Sequence, residues 1–176
     1  MAQDMLYDII DNLYKWMNHG KQGHPREEED LEYFDSIWFT LYSLIRRIER
    51  MEEPDEEERD ILNYLNYEGQ LYRIHKRFDI NDKNYGIWES DHFQSWSKTN
   101  QYRNFYWMNE TGECILISAH TNDEYFGIDL IGFRDYVRKY YHPEYRFNSP
   151  AIDKEQEVVF PVKLHLIDKI ETVNGR

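Results

Sequence analysis

The hydrophobic pattern of this chain changes period once, close to Gly69, and that change limits the folds open to it. Before it, apolar residues recur at helical spacing. Leu6, Ile9, Ile10, Leu13, Trp16 and Met17 share one face, which predicts a helix over about 4–18 that stops at His19-Gly20. Beyond Pro25, Leu31, Phe34, Ile37, Trp38, Leu41, Leu44, Ile45 and Ile48 keep the same spacing, and Arg46, Arg47 and Arg50 sit at the end where cations suit the helix dipole. Pro54 breaks the pattern, and 55–64 reads as a shorter helix carrying Ile61 and Leu62. After Gly69, 70–75 alternates as a strand does, and β-branched or aromatic residues recur in short runs at 93–96, 115–117, 127–130 and 158–166. Helical spacing returns over 131–141. Helices first and a mostly antiparallel sheet second is an α+β arrangement, expected here as one domain with a helical portion, 1–66, and a β-rich portion, 67–176.

The charge follows the same division. Of the 176 residues, 34 are acidic and 21 basic, a net charge of −13. Residues 1–66 hold 17 acidic side chains against 7 basic, a net of −10, and the remainder is close to balanced at −3. Such a surface repels phosphate backbones over a screening length of about 8 Å, so nucleic acid is the less favoured partner and a protein the more favoured one. A solvated set of helix ends explains the same runs without any partner. One cysteine, Cys114, allows no intrachain disulfide and no cysteine-built zinc site, and reads as a small buried residue. No apolar run reaches the roughly 20 residues of a membrane span, and the start lacks a signal-peptide pattern, so a cytoplasmic protein without membrane contact is expected. Neither a dinucleotide-binding glycine fingerprint nor a phosphate loop is present, and the seven histidines show no metal-ligand spacing, so no metal is expected. His120, near Asp123 and Glu124, reads as a surface pair.

Three segments of the β-rich portion carry chemistry. In Gly69-Gln70-Leu71-Tyr72-Arg73-Ile74-His75, alternation sets Arg73 opposite Tyr72 and Ile74, and its guanidinium can fork onto paired phosphate or carboxylate oxygens. In Phe93-Gln94-Ser95-Trp96-Ser97-Lys98, two hydroxyls share one face of a strand and Trp96 takes the other. In Glu155-Gln156-Glu157-Val158-Val159-Phe160-Pro161, period-two geometry would place two carboxylates on one side of a strand, where like charges raise one pKa and offer one group as a base. Each segment alone has an ordinary explanation: an arginine paired with a carboxylate, solvated serines beside a core tryptophan, two solvated glutamates at a strand start.

Taken in order, the three resemble the arginine, serine and glutamate signature of mono-ADP-ribosyltransferases, a class that includes arginine-modifying bacterial toxins and phage enzymes. The resemblance covers about residues 69–170, with Trp96 standing where threonine is more usual. It implies a two-sheet core with an NAD cleft, NAD serving as substrate. Arg73, with Tyr72 beside it, would hold the dinucleotide, while Ser95, Trp96 and Ser97 would frame the nicotinamide pocket. Glu155 and Glu157 would form the catalytic Glu-x-Glu pair. The stretch 145–150 looks like the family's substrate-recognising turn, with Tyr145 and Phe147 as its aromatic residues. The histidine-and-tyrosine class fits less well, because His75 does not stand in a His-Gly strand.

In the mechanism this implies, Glu157 stabilises the oxocarbenium-like transition state through a ribose hydroxyl. Glu155 orients or deprotonates the acceptor, a protein arginine. Ser95 positions Glu157, and Ser97 lines the pocket. Two other outcomes fit the same residues. One is NAD hydrolysis. The other, motivated by the −10 of residues 1–66, is an acidic, phage-like inhibitor that keeps the fold without catalysis. The resemblance to toxins also implies an inhibitor or antitoxin as a partner.

Overall fold

The computed structural model describes residues 1–19, 28–76, 78–105, 112–145 and 150–175. Three helices come first: α1 (Gln3–His19), α2 (Glu28–Glu49) and α3 (Glu56–Leu65). The strands follow as β1 (Asn66–Tyr67), β2 (Gln70–His75), β3 (Ser90–Ser97), β4 (Glu113–His120) and β5 (Gly127–Asp129). After α4 (Leu130–Tyr140) and α5 (Pro150–Glu155), the chain ends in β6 (Glu157–Val162) and β7 (Ile167–Asn174). Mixed helix and antiparallel sheet is the α+β class expected. Among the described residues, no helix is long and apolar enough to cross a membrane.

The helices begin where side chains can satisfy their first amide groups. At α3, the Asp55 carboxylate accepts from the Glu58 amide at 2.8 Å, and the Glu58 carboxylate accepts from the Asp55 amide at 2.9 Å, a closed capping box. At α4, Asp129 caps by accepting from the Gly132 amide at 3.1 Å. Gly132 also lets α4 lie against α3, since a Cβ there would stand 1.5 Å from the Tyr64 carbonyl oxygen. The α2 helix is tied to β3 through Asp35, whose carboxylate accepts the Phe93 amide at 3.0 Å and pairs with the His92 ring. Tyr42 of α2 stacks on Phe126 with ring centroids 4.0 Å apart.

Among the described residues, the seven strands form one antiparallel sheet in the order β1-β5-β6-β3-β2-β4-β7. The expectation of two sheets is corrected here. β2 and β3 join the halves through Tyr72↔Ser97, the one registered pair between them among the described residues. By contrast, β2 pairs with β4 along its whole length, from Gln70↔His120 to His75↔Ile115. The strands β2 and β3 therefore splay beyond one bridge, and the sheet opens there.

Alternation along the strands divides the core. On one face, Phe93, Ile128 and Val159 pack with Leu6, Ile9, Leu13, Trp38, Leu41 and Ile45 of the helices. On the other face, Leu71, Trp96, Ile115, Ile117, Val158 and Phe160 form a second cluster. A third, smaller group gathers Ile74, Phe105, Cys114 and Leu116. Cys114 is buried, as expected from its apolar run.

Candidate functional site

The splay between β2 and β3 is a cavity of about 190 Å³. Tyr72, Arg73, Ile74, Ser95, Trp96, Ser97, Phe105 and Glu155 line it. Six of these were singled out in the sequence, from three segments distant in the chain. Ile74 and Phe105 were not; both belong to the small apolar cluster beside the cavity, and nothing in a short apolar alternation distinguishes such a wall from ordinary core.

Arg73 spans the opening. Its Nη1 donates to the Ser95 carbonyl oxygen at 2.5 Å and its Nη2 to Gln94 Oε1 at 3.3 Å, so the guanidinium supplies cross-strand hydrogen bonds where the backbone ladder has ended. Its Nε donates to His75 Nε2 at 2.9 Å. Burial, followed by the charge of Arg73, lowers the His75 pKa to about 4, so the ring is a neutral acceptor at physiological pH.

Ser97 closes the other side. Its hydroxyl donates to the Glu155 carbonyl oxygen and accepts from the Thr99 amide at 3.1 Å. Across the ladder Ser97 is registered with Glu157, so Tyr72, Ser97 and Glu157 follow one another over three strands on one face. The serine roles expected from the resemblance are therefore rearranged. Ser97 is the hydroxyl tied to the glutamate segment, and Ser95 contributes its backbone carbonyl to Arg73. Trp96 points into the core, where its indole donates to the Phe160 carbonyl oxygen at 3.0 Å.

The glutamate pair is also built differently from the expected strand alternation. Glu155 ends α5, Gln156 takes a left-handed backbone conformation with φ of 49°, and only Glu157 enters β6. For a residue with a Cβ that conformation is strained, and it lets the chain pass from helix to strand within one residue. The turn is held by the Lys98 amide, which donates to the Gln156 carbonyl oxygen at 3.3 Å. Both acids are buried, Glu155 to 6% exposure and Glu157 to 4%. Glu155 lines the cavity, and Glu157 is registered on β6 against Ser97, itself a lining residue. Next along β3, Lys98 Nζ pairs with Asp129 at 2.8 Å, linking this edge of the site to the cap of α4.

Tyr145 is elsewhere. It is buried and lines a different hollow of about 240 Å³ with Leu6, Tyr7, Ile10, Val137 and Tyr141, so it is not the displayed aromatic expected of a recognition turn. Phe147, its expected companion, lies outside the described residues. His120 pairs with Asp168 of β7 at 2.7 Å on the surface, not with Asp123 or Glu124. Among the described residues no cluster of His, Cys, Asp and Glu has the makings of a metal site. Compared with known protein families, curated proteins and solved structures, the chain matches none of them.

Proposed function

We propose that the chain is a mono-ADP-ribosyltransferase that takes NAD as its substrate and transfers ADP-ribose to a protein arginine. The observation that supports this most is the convergence of Arg73, Ser95, Ser97 and Glu155 on one cavity, with Glu157 registered directly against Ser97. At about 190 Å³ the hollow is smaller than the roughly 300–1,000 Å³ usual for a whole small-molecule ligand. It is sized for the nicotinamide end, leaving the rest of the dinucleotide across the open rim beside Arg73. This narrows the dinucleotide-sized cleft that the resemblance implies.

The chemistry then runs as follows. The bond between nicotinamide nitrogen and ribose C1′ breaks, its electron pair leaving with the nicotinamide. Positive charge on the ribose is stabilised by the Glu157 carboxylate, a preorganised charge in a water-poor pocket. A guanidinium nitrogen of the acceptor forms the new bond to C1′, and its proton passes to Glu155. Arg73 binds the diphosphate by charge and fork geometry.

Incubation with NAD labelled in its adenylate half, together with candidate acceptor proteins, tests the reading. Nicotinamide release with label on protein is expected. Glu157→Gln should keep the fold and lose about 100-fold or more in transfer, the scale of removing one preorganised charge. Glu155→Gln should reduce transfer while sparing NAD cleavage. Release without labelled protein would make the chain a hydrolase. Neither signal, with tight binding to a basic protein, would make it an acidic inhibitor.

A further inference from the structure

We propose that His75 is a positioning residue for Arg73, an uncharged acceptor that fixes the guanidinium plane across the β2–β3 opening so that its fork faces an anionic ligand. The inference rests on the NAD reading for the identity of that anion, but the contact itself does not.

Arg73 and His75 stand two apart on β2, hence on the same side of the strand. A guanidinium has four N–H groups on its two terminal nitrogens and a single N–H at Nε, on the side of the stem. Bonding that single donor to His75 Nε2 at 2.9 Å sets the rotation of the whole plane, and the terminal nitrogens then reach Ser95 and Gln94 on the opposite strand. Without the Nε contact, the stem can turn and carry both terminal nitrogens out of the opening. His75 is itself held in place by a complete backbone ladder, its register partner Ile115 being fully buried.

The choice of an imidazole also matters for charge. This chain has 34 acidic side chains, and an aspartate or glutamate at 75 would hold the same Nε–H. It would also set a negative charge against the guanidinium and compete with the phosphate the arginine is there to bind. A neutral ring orients Arg73 without subtracting from its cationic field.

Three variants separate these effects: His75→Gln keeps an uncharged acceptor, His75→Leu removes it, and His75→Glu keeps the acceptor but adds charge. Two readouts apply. The first is the Arg73 Nε–H resonance in nitrogen-15 spectra, assigned by its disappearance in Arg73→Lys. The second is NAD affinity by titration calorimetry on the full chain.

The resonance should be slow-exchanging in the wild type, the Gln variant and the Glu variant, and lost in the Leu variant. NAD affinity should fall about tenfold or more in the Leu and Glu variants, the scale of one charge-assisted contact, and stay within about threefold in Gln. If Leu keeps the slow Nε–H, or Gln loses as much affinity as Leu, the inference is overturned. If the Leu variant does not fold, the contrast between Gln and Glu decides: equal NAD affinity in those two overturns the charge argument. Absence of NAD binding by the wild type, with the resonance pattern as expected, refutes the NAD reading and leaves the orienting contact supported.

Discussion

Replacing Gly132 by alanine tests the packing that places the site. The added Cβ would lie 1.5 Å from the Tyr64 carbonyl oxygen and 2.6 Å from its carbon, both backbone atoms of α3. An ordinary contact between carbon and oxygen is about 3.3 Å or more, so α3 and α4 must part by nearly 2 Å. That opens an interface in which Leu65, Leu130, Phe133, Tyr136 and Val137 are essentially excluded from solvent. Overpacking in a filled core costs about 1–3 kcal/mol, and a clash with backbone sits at the upper end. At about 2–4 °C per kcal/mol for a chain of this length, melting should fall by roughly 6–12 °C. Gly127→Ala is the comparison: its Cβ would meet the Val158 Cγ1 methyl at 2.3 Å, and a side chain can turn aside, so the loss should be smaller. The assay is thermal and urea unfolding of both variants. A Gly132→Ala protein that melts within 2 °C of wild type, on the same scale, or a larger loss for Gly127→Ala, would refute the close helix contact.

Other outcomes follow from the site. Ser97→Ala removes the hydroxyl that serves both the Glu155 carbonyl and the Thr99 amide, and should cost about 1–3 kcal/mol in urea unfolding. A change near zero would mean that water replaces it. His75, lowered from 6.5 to about 4, gives a pH signature: between those values the unfolded chain binds a proton that the folded chain refuses. Stability from this group is complete above pH 6.5 and is lost as pH falls towards 4, by up to about 3 kcal/mol. His75→Gln should flatten that slope, and identical pH profiles for the two proteins would remove the buried neutral ring from the account.

What could be read in the sequence follows how much of each element is dictated by its own pattern. α2 is announced by an apolar stripe and a basic end, and α3 by the break at Pro54 with Ile61 and Leu62 beyond it; both helices appear near the expected bounds. β7 carries no clear signature in the sequence, because Ile167–Asn174 is an edge strand carrying Asp168, Lys169 and Glu171, with no apolar face long enough to show alternation. The two residues of β1 and the six of α5 are too short for any period to register. At the site, the residue types were legible but their relations were not. The left-handed Gln156, which takes Glu155 out of the strand, is set by the meeting of α5 with β6. Tyr145 turns inward because α1 and α4 offer it an apolar hollow, a fact about distant helices that no local window contains.

A sheet stitched at its middle, among the described residues, by one registered pair is mechanically two plates joined at a seam. The width of the gap is then governed by the length and pose of the side chains that cross it, chiefly Arg73 reaching Ser95 and Gln94, and only slightly by the rigid backbone lattice on either flank. Exchange of single side chains along this seam can resize the hollow while leaving the strand pairing of both plates in place.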